Sequence, residues 1–209
     1  MQQLAPLVNL AITTGEPAGV GPEVSVAAAQ DFLLKHADVQ ITLLGDADLL
    51  ASGQIVHPQL SDRLKIEAVS ISEPVIPGTL NPANAHYVLQ LLNNAADGCL
   101  AGRFDAMVTA PIQKSIINES GIAFTGHTEY LEHRCNAKHV VMMLCAPLPA
   151  GFLGLKSPRD LRVALVTTHL PVREVSAALS YDLVLETIQI VHRDLQSKFG
   201  ISKPAIRVA

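Results

Sequence analysis

Tryptophan is absent from the 209 residues, aromatic side chains amount to 4%, and charged ones to only 16%, whereas hydrophobic residues reach 49%. That balance excludes a disordered chain and suits a compact protein whose core is built from Val, Ile, Leu and Ala. Thiols are few as well. Cys99, Cys135 and Cys145 are odd in number and include no C-x-x-C pair, which excludes a disulfide frame and a thiolate zinc knot. They are expected to be reduced and mostly buried, as in a cytosolic protein. The net charge of -4 gives no electrostatic reason to expect nucleic acid or an anionic membrane as partner, so an anionic ligand needs local donors. The longest apolar run, "HVVMMLCAPLPAGFLGL", is broken by Pro147 and Pro149, which argues against a membrane span. The N-terminus lacks the basic segment and long apolar stretch of a signal peptide, and the expectation is a cytoplasmic protein of one large or two small domains.

What is present is an alternation of short β-type runs with longer helix-period runs, the pattern of parallel α/β units. "LVNLAITT", "VQITLLGD", "KIEAVSI", "FDAMVTAP", "HVVMMLC" and "LRVALVTT" read as strands, "HVVMMLC" as a buried one. A helix is expected to open at Pro22. Another opens at Asn81-Pro82, with Ala85, Val88, Leu89, Leu92, Ala96 and Cys99 on its core face. "IQKSIIN" and the stretch around Tyr130–Arg134 are further helical segments. Ser180 caps a long helix running to Phe199, with Gly200 as its stop and Val184, Ile188, Val191 and Leu195 as its apolar stripe. "PAIRVA" at the end reads as the beginning of a strand.

Four stretches could carry chemistry. "TTGEPAGVGPE" (13–23) lies between a strand and a helix N-terminus, where backbone N–H groups can hold a phosphate. It matches neither G-x-G-x-x-G nor the Walker A spacing, and Glu16 puts a negative charge there, so a tight turn that needs glycine is at least as good an account. "FTGHTEYLEH" (124–133) sets His127 and Thr128 at a loop-to-helix junction suited to an anion; the alternative is a capping Thr128 beside a structural histidine, with Glu132 and His133 solvated. "LVTTHLP" delivers His169 beyond the end of a strand, where ligands gather in parallel sheets, yet a single histidine makes a poor metal site. Lys114, after "VTAP", is a candidate anion contact, although a lone lysine in such a place is usually solvated.

Taken in order, "TTGEPAGVGPE", "TAPIQKSIINESGIAFTGHTEYL", "VVMMLC" and "RVALVTTHLPVREV" resemble the 4-hydroxythreonine-4-phosphate dehydrogenase family of pyridoxal phosphate synthesis. The resemblance implies a two-domain α/β/α fold similar to isocitrate and isopropylmalate dehydrogenases, with the active site in the cleft. It places a first α/β domain over residues 1–126 and the start of a second over 127–209. His127 and Thr128 correspond to the family's substrate-binding pair, and His169 to a metal ligand. The implied cofactors are NAD or NADP and a divalent cation (Zn, Mg or Co). The implied partners are a phosphorylated small molecule and a second copy in a homodimer that shares the metal site at its interface.

The implied reaction is oxidation and decarboxylation of 4-phosphooxy-L-threonine to 3-amino-2-oxopropyl phosphate. Alternatives are a related dehydrogenase of threonate or erythronate 4-phosphate, and a non-catalytic truncated binding module. The family's other two metal histidines, in blocks like "NPHAGEGG" and "YHDQG", are not found here. The chain is therefore expected to be an N-terminal portion that lacks part of the site. Its Ala146–Asp160 segment is longer than the short hairpin expected between the flanking strands.

Overall fold

The computed structural model describes residues 7–51 and 57–209, which fold as two compact units divided between Asn136 and Ala137. The helix that follows His127 thus groups with the first unit, ten residues beyond the boundary expected at 126.

The first unit is a doubly wound sheet. Strands β1 (Val8–Thr13), β2 (Val39–Gly45), β3 (Leu64–Ala68) and β4 (Ala106–Thr109) are all parallel and lie in the order β3-β2-β1-β4. Helix α1 (Gly21–Lys35) opens with Pro22 in its first turn, and a short α2 (Ala47–Ala51) follows β2. Asn81 accepts a hydrogen bond from the Ala83 N–H and caps a 3₁₀ turn, Pro82–Asn84, which leads into α3 (Ala85–Leu100). Two cores result, one on each side of the sheet. Ile12, Ile41, Leu43 and Leu64 pack against Val26, Ala29 and Leu33 of α1. On the opposite face Ala11 and Leu44 pack against α3. The α3 stripe is wider than the expected one: Tyr87, Leu91 and Ala95 are buried too, while Cys99 is only half-buried.

Tyr87 carries a hydroxyl into this core, and its bonds have a direction. The Asp46 N–H donates to the Tyr87 hydroxyl at 3.0 Å, and Thr14 Oγ1 donates its one proton to the Leu44 carbonyl at 3.0 Å. The remaining contact, 3.3 Å between the two hydroxyls, must then have Tyr87 as donor. One chain of bonds locks the ends of β1 and β2 onto α3. Burial pushes the Tyr87 phenol above its usual range.

Two short helices follow β4: α4 (Lys114–Glu119) and, beyond a turn, α5 (His127–Arg134). That last helix starts three residues earlier than the expected Tyr130.

The second unit departs from the sequence reading in several places. Strands β5 (Met143–Leu148) and β6 (Arg159–Ala164) pair antiparallel, Met143 opposite Ala164 and Leu148 opposite Arg159, so a parallel arrangement does not extend through the whole chain. The expected buried strand "HVVMMLC" begins its pairing only at Met143, and Leu144 is 59% exposed. An unbroken apolar run reads as a strand covered on both faces, but β5 has a single partner strand. Helices α6 (Val172–Ala178) and α7 (Tyr181–Ser197) follow, and Ser180 caps α7 by accepting from the Leu183 N–H. The helix ends at Ser197, two residues short of the expected Phe199, and the left-handed Gly200, at φ +67°, follows in the turn beyond it. Of the predicted stripe only Leu195 is fully buried, with Val184, Ile188 and Val191 half-buried. "PAIRVA" pairs with no strand. Two of the three thiols, Cys135 and Cys145, are exposed rather than buried.

Two left-handed glycines separate conformational need from steric need. Gly15 has φ +73°, and a Cβ there would lie 2.3 Å from the Pro111 carbonyl oxygen; Gly102 has φ +71° with nothing within 4 Å. Gly15→Ala is expected to cost roughly 2–5 kcal/mol, a strained backbone plus an overpacked contact. Gly102→Ala carries only the backbone term, about 1–2 kcal/mol. Urea unfolding of both variants checks this, and equal losses would show that the approach to Pro111 costs nothing.

Candidate functional site

In an open parallel sheet, ligands bind beyond the carboxyl ends of the strands, where the strand order reverses. Here the order reverses between β1 and β4. The loops that leave those two strands are Thr14–Val20 and Ala110–Gln113, so the "TTGEPAG" and "TAPIQK" stretches meet at that point. Their meeting is direct, since the Glu16 N–H donates to the Pro111 carbonyl at 3.0 Å.

The geometry decides between the two accounts of the glycine-rich stretch. The Ala18 N–H donates to Glu16 Oε1 and the Gly19 N–H to the Glu16 carbonyl, both at 3.1 Å. With Glu16 N–H also engaged, these amides are consumed inside the turn and do not form a phosphate cradle. Gly21 serves packing too, because a Cβ there would sit 2.2 Å from the Thr14 carbonyl oxygen. The buried Glu16 carboxyl is pushed above its usual range by loss of water, partly offset by the Ala18 bond.

The second stretch is built from α4, α5 and the turn between them. Ile116 and Ile117 bury the inner face of α4, leaving its first residue, Lys114, exposed. Phe124 is buried and stacks at a tilt on Tyr130, with centroids 5.5 Å apart. Gly126 is the N-cap of α5 and its carbonyl accepts from the Tyr130 N–H. Further along α5, the Tyr130 hydroxyl donates to Asn93 Oδ1 at 2.8 Å and the Arg134 guanidinium grips the Asp97 carboxylate, fastening the helix to α3. That guanidinium holds the Asp97 carboxyl below the usual carboxylate range.

Lys114 and the start of α5 converge. A Cβ on Gly126 would lie 3.2 Å from Lys114 Nζ and 2.9 Å from Glu129 Oε2, so glycine leaves room for both charged ends. His127 is half-buried with its ring edge-on to Phe124, centroids 6.5 Å apart and planes at 82°. Its Nε2 is shielded from solvent without a hydrogen-bond partner. Burial, and after it the Lys114 ammonium, hold the imidazole below its ordinary value of 6.5. A neutral ring with an unused nitrogen and an ammonium beside it can engage a polar anionic ligand. Thr128 is half-buried inside the first turn of α5 and does not serve as its cap. Glu132 is half-buried and His133 exposed.

His169 belongs to the second unit. It is exposed and left-handed, at φ +57°, a conformation costly for a residue with a Cβ and concentrated at functional positions. No group of three or more His, Cys, Asp or Glu side chains able to hold a metal occurs among the described residues. By itself His169 does not fit a divalent-metal site. Two residues shape the first-unit site without having stood out in the sequence, Asn118 and Tyr87. Asn118 offers one legible signal, an amide at the end of a short helix just before a glycine turn.

Comparison with known proteins places these features. The family model described as pyridoxal phosphate biosynthetic protein PdxA matches residues 22–209. A 4-hydroxythreonine-4-phosphate dehydrogenase of Burkholderia vietnamiensis is 48% identical over 209 residues, covering 98% of this chain and 61% of the relative. One of Ralstonia nicotianae is 47% identical, covering 97% of this chain and 63% of the relative. The chain thus spans a little over three fifths of the length of these curated relatives. Among solved structures, a 4-hydroxythreonine-4-phosphate dehydrogenase of Burkholderia phymatum superposes with a TM-score of 0.72 at 26% identity, over 96% of this chain and 61% of that one. A terephthalate 1,2-cis-dihydrodiol dehydrogenase of Burkholderia xenovorans shares the fold, with a TM-score of 0.62 at 22% identity, over 95% of this chain and 60% of that one.

The lowered affinity of His127 for a proton has a consequence for stability. As pH falls, the unfolded chain takes up this proton before the folded one does. The stability contributed by the neutral ring is therefore present above the ordinary histidine value and is lost as pH drops toward the lowered folded value. His127→Asn is expected to flatten the fall of the urea midpoint between about pH 7 and about pH 5. An unchanged slope in the variant would remove His127 as the titrating group.

Proposed function

Since the chain belongs to the PdxA family of pyridoxal phosphate biosynthetic proteins, we propose that it supplies the phosphosubstrate pocket of a 4-hydroxythreonine-4-phosphate dehydrogenase. The observation that carries this reading is the approach of Lys114 Nζ to the backbone at Gly126, next to His127 and beside the Glu129 carboxylate. The substrate is 4-phosphooxy-L-threonine. The reaction would oxidise its secondary alcohol with release of the hydroxyl proton, and NAD or NADP, when bound, would supply the hydride acceptor. The resulting β-keto acid then loses carbon dioxide to give 3-amino-2-oxopropyl phosphate.

Within this reading, Lys114 pairs with an anionic oxygen of the substrate, and the Thr128 hydroxyl adds a neutral hydrogen bond. His127 offers one donor and one acceptor from its neutral ring, which suits a substrate hydroxyl better than an imidazolium would. Its location on a helix N-terminus favours negative charge in the ligand. A bound phosphate ester would in turn raise the affinity of His127 for a proton, opposing the effect of Lys114.

His169 is read as a metal ligand whose companions come from residues other than those described. Beyond His169, no residue is assigned to holding the metal or the nicotinamide, since no group of three or more His, Cys, Asp or Glu side chains among the described residues is placed to hold a metal. The same reading carries a two-domain architecture like that of isocitrate and isopropylmalate dehydrogenases, a homodimer sharing the metal, and a cytoplasmic location. No described helix is long and apolar enough to cross a membrane.

Calorimetric titration with 4-phosphooxy-L-threonine tests the pocket. Lys114→Met and His127→Asn are each expected to weaken binding about 10- to 100-fold, the scale of one hydrogen bond to a charged group. Binding indifferent to both substitutions would sink the assignment, and a preference for threonate 4-phosphate would move it to the related dehydrogenase. With NAD and a divalent metal added, this chain alone is expected to form no measurable NADH, and turnover would refute the incomplete ligand set.

A further inference from the structure

The Asn118 side chain spends its hydrogen-bonding capacity on the backbone at the two ends of one segment. Its Nδ2 donates to the Lys114 carbonyl at 2.9 Å and to the Phe124 carbonyl at 3.0 Å, and its Oδ1 accepts from the Phe124 N–H at 2.9 Å. Lys114 is the first residue of α4, and Phe124 opens the segment that reaches Gly126 and His127. We propose that Asn118 is the positioning residue of this anion site, its one amide fixing where the Lys114 ammonium stands relative to the His127 ring. The proposal rests on the reading of Lys114 and His127 as ligand contacts, but the geometry that supports it does not depend on the identity of the ligand.

The packing separates this role from a general one. Helix α4 is anchored by Ile116 and Ile117, and α5 is anchored to α3 by the Tyr130–Asn93 bond and the Arg134–Asp97 pair. Both helices thus keep their own attachments if Asn118 is lost. Asn118 is the hydrogen-bonded link between them across the turn Glu119–Ala123, where Gly121 is left-handed at φ +88°. Removing the amide leaves the N–H and C=O of a buried phenylalanine without these partners, and the segment shifts to recover them. That shift moves Gly126 and His127 away from Lys114 while α5 stays docked. The charged groups facing this corner are Lys114 from α4 and Glu129 from α5. On α3, Asn93 and Asp97 are engaged by Tyr130 and Arg134, and the Phe124 ring closes the apolar side.

The test is a coupling measurement by NMR on the full chain. In the parent protein, Lys114→Met should raise the titration midpoint of His127, since the ammonium opposes its protonation. In an Asn118→Ala background the same Lys114→Met change should move the midpoint by less than half as much. Addition of inorganic phosphate should shift the His127 resonance in the parent and do so at least tenfold more weakly in Asn118→Ala. If that variant does not fold, Asn118→Asp keeps the bond from the Phe124 N–H, loses both Nδ2 donations, and is expected to give the same loss of coupling. A variant with a lower Tm but undiminished coupling would overturn the proposal and leave Asn118 a structural residue. Loss of coupling with no phosphate response in the parent would support the positioning role while refuting the anion-site reading.

Discussion

The first unit is organised around a place where two chain segments approach too closely for a side chain. At the end of β1 the backbone turns against the loop leaving β4, and Gly15 stands where any Cβ would overlap the Pro111 carbonyl oxygen. The Glu16 N–H donates to that same oxygen, so one carbonyl fixes both the fit and the direction of the turn. Because β1 and β4 flank the reversal of strand order, this contact brings the two loops together at the point where a doubly wound sheet leaves space for a ligand. A few residues further along the second of those loops comes Lys114, and beyond it the segment ending in His127.

Around that point the molecule uses its polar groups economically. Thr14 and Tyr87 complete a one-directional chain of bonds from the Asp46 N–H to the Leu44 carbonyl, and Glu16 turns its carboxyl back onto its own loop. These groups are spent on shape. His127 Nε2 has no protein partner although it is shielded from water, as is true of the buried Thr13 and Ser25 hydroxyls, and the exposed Lys114 ammonium stands near the Gly126 backbone. An unpaired buried nitrogen is costly unless a ligand completes it, and burial, with the Lys114 ammonium second, disfavours protonation of that imidazole.

Periodicity served well wherever a segment makes its contacts locally. The starts of α1 and α3 were legible from Pro22 and Asn81-Pro82, and Ser180 and Gly200 marked the long final helix because caps are decided within a few residues. It served less well in the second unit. The apolar run of β5 predicted burial, but burial depends on what covers a strand, and among the described residues β5 pairs with β6 alone. Tyr87 was passed over on α3 because a stripe drawn from aliphatic spacing omits an aromatic whose hydroxyl is satisfied inside the core.

By itself the sequence determined the alternation of strands and helices, the caps and the family membership, since these depend on short-range order and on motif spacing. Tertiary structure decided the rest. The strand order, with its reversal between β1 and β4, comes from long-range pairing. So does the choice of tight turn over phosphate cradle for the glycine-rich loop, because its amides find partners on Pro111 and Glu16. The convergence of Lys114 on Gly126, and the Asn118 bonds that join α4 to the start of α5, exist only once the chain has returned on itself. Spacing along a chain records which residues are near in sequence, whereas a site is made of residues that packing has brought near in space.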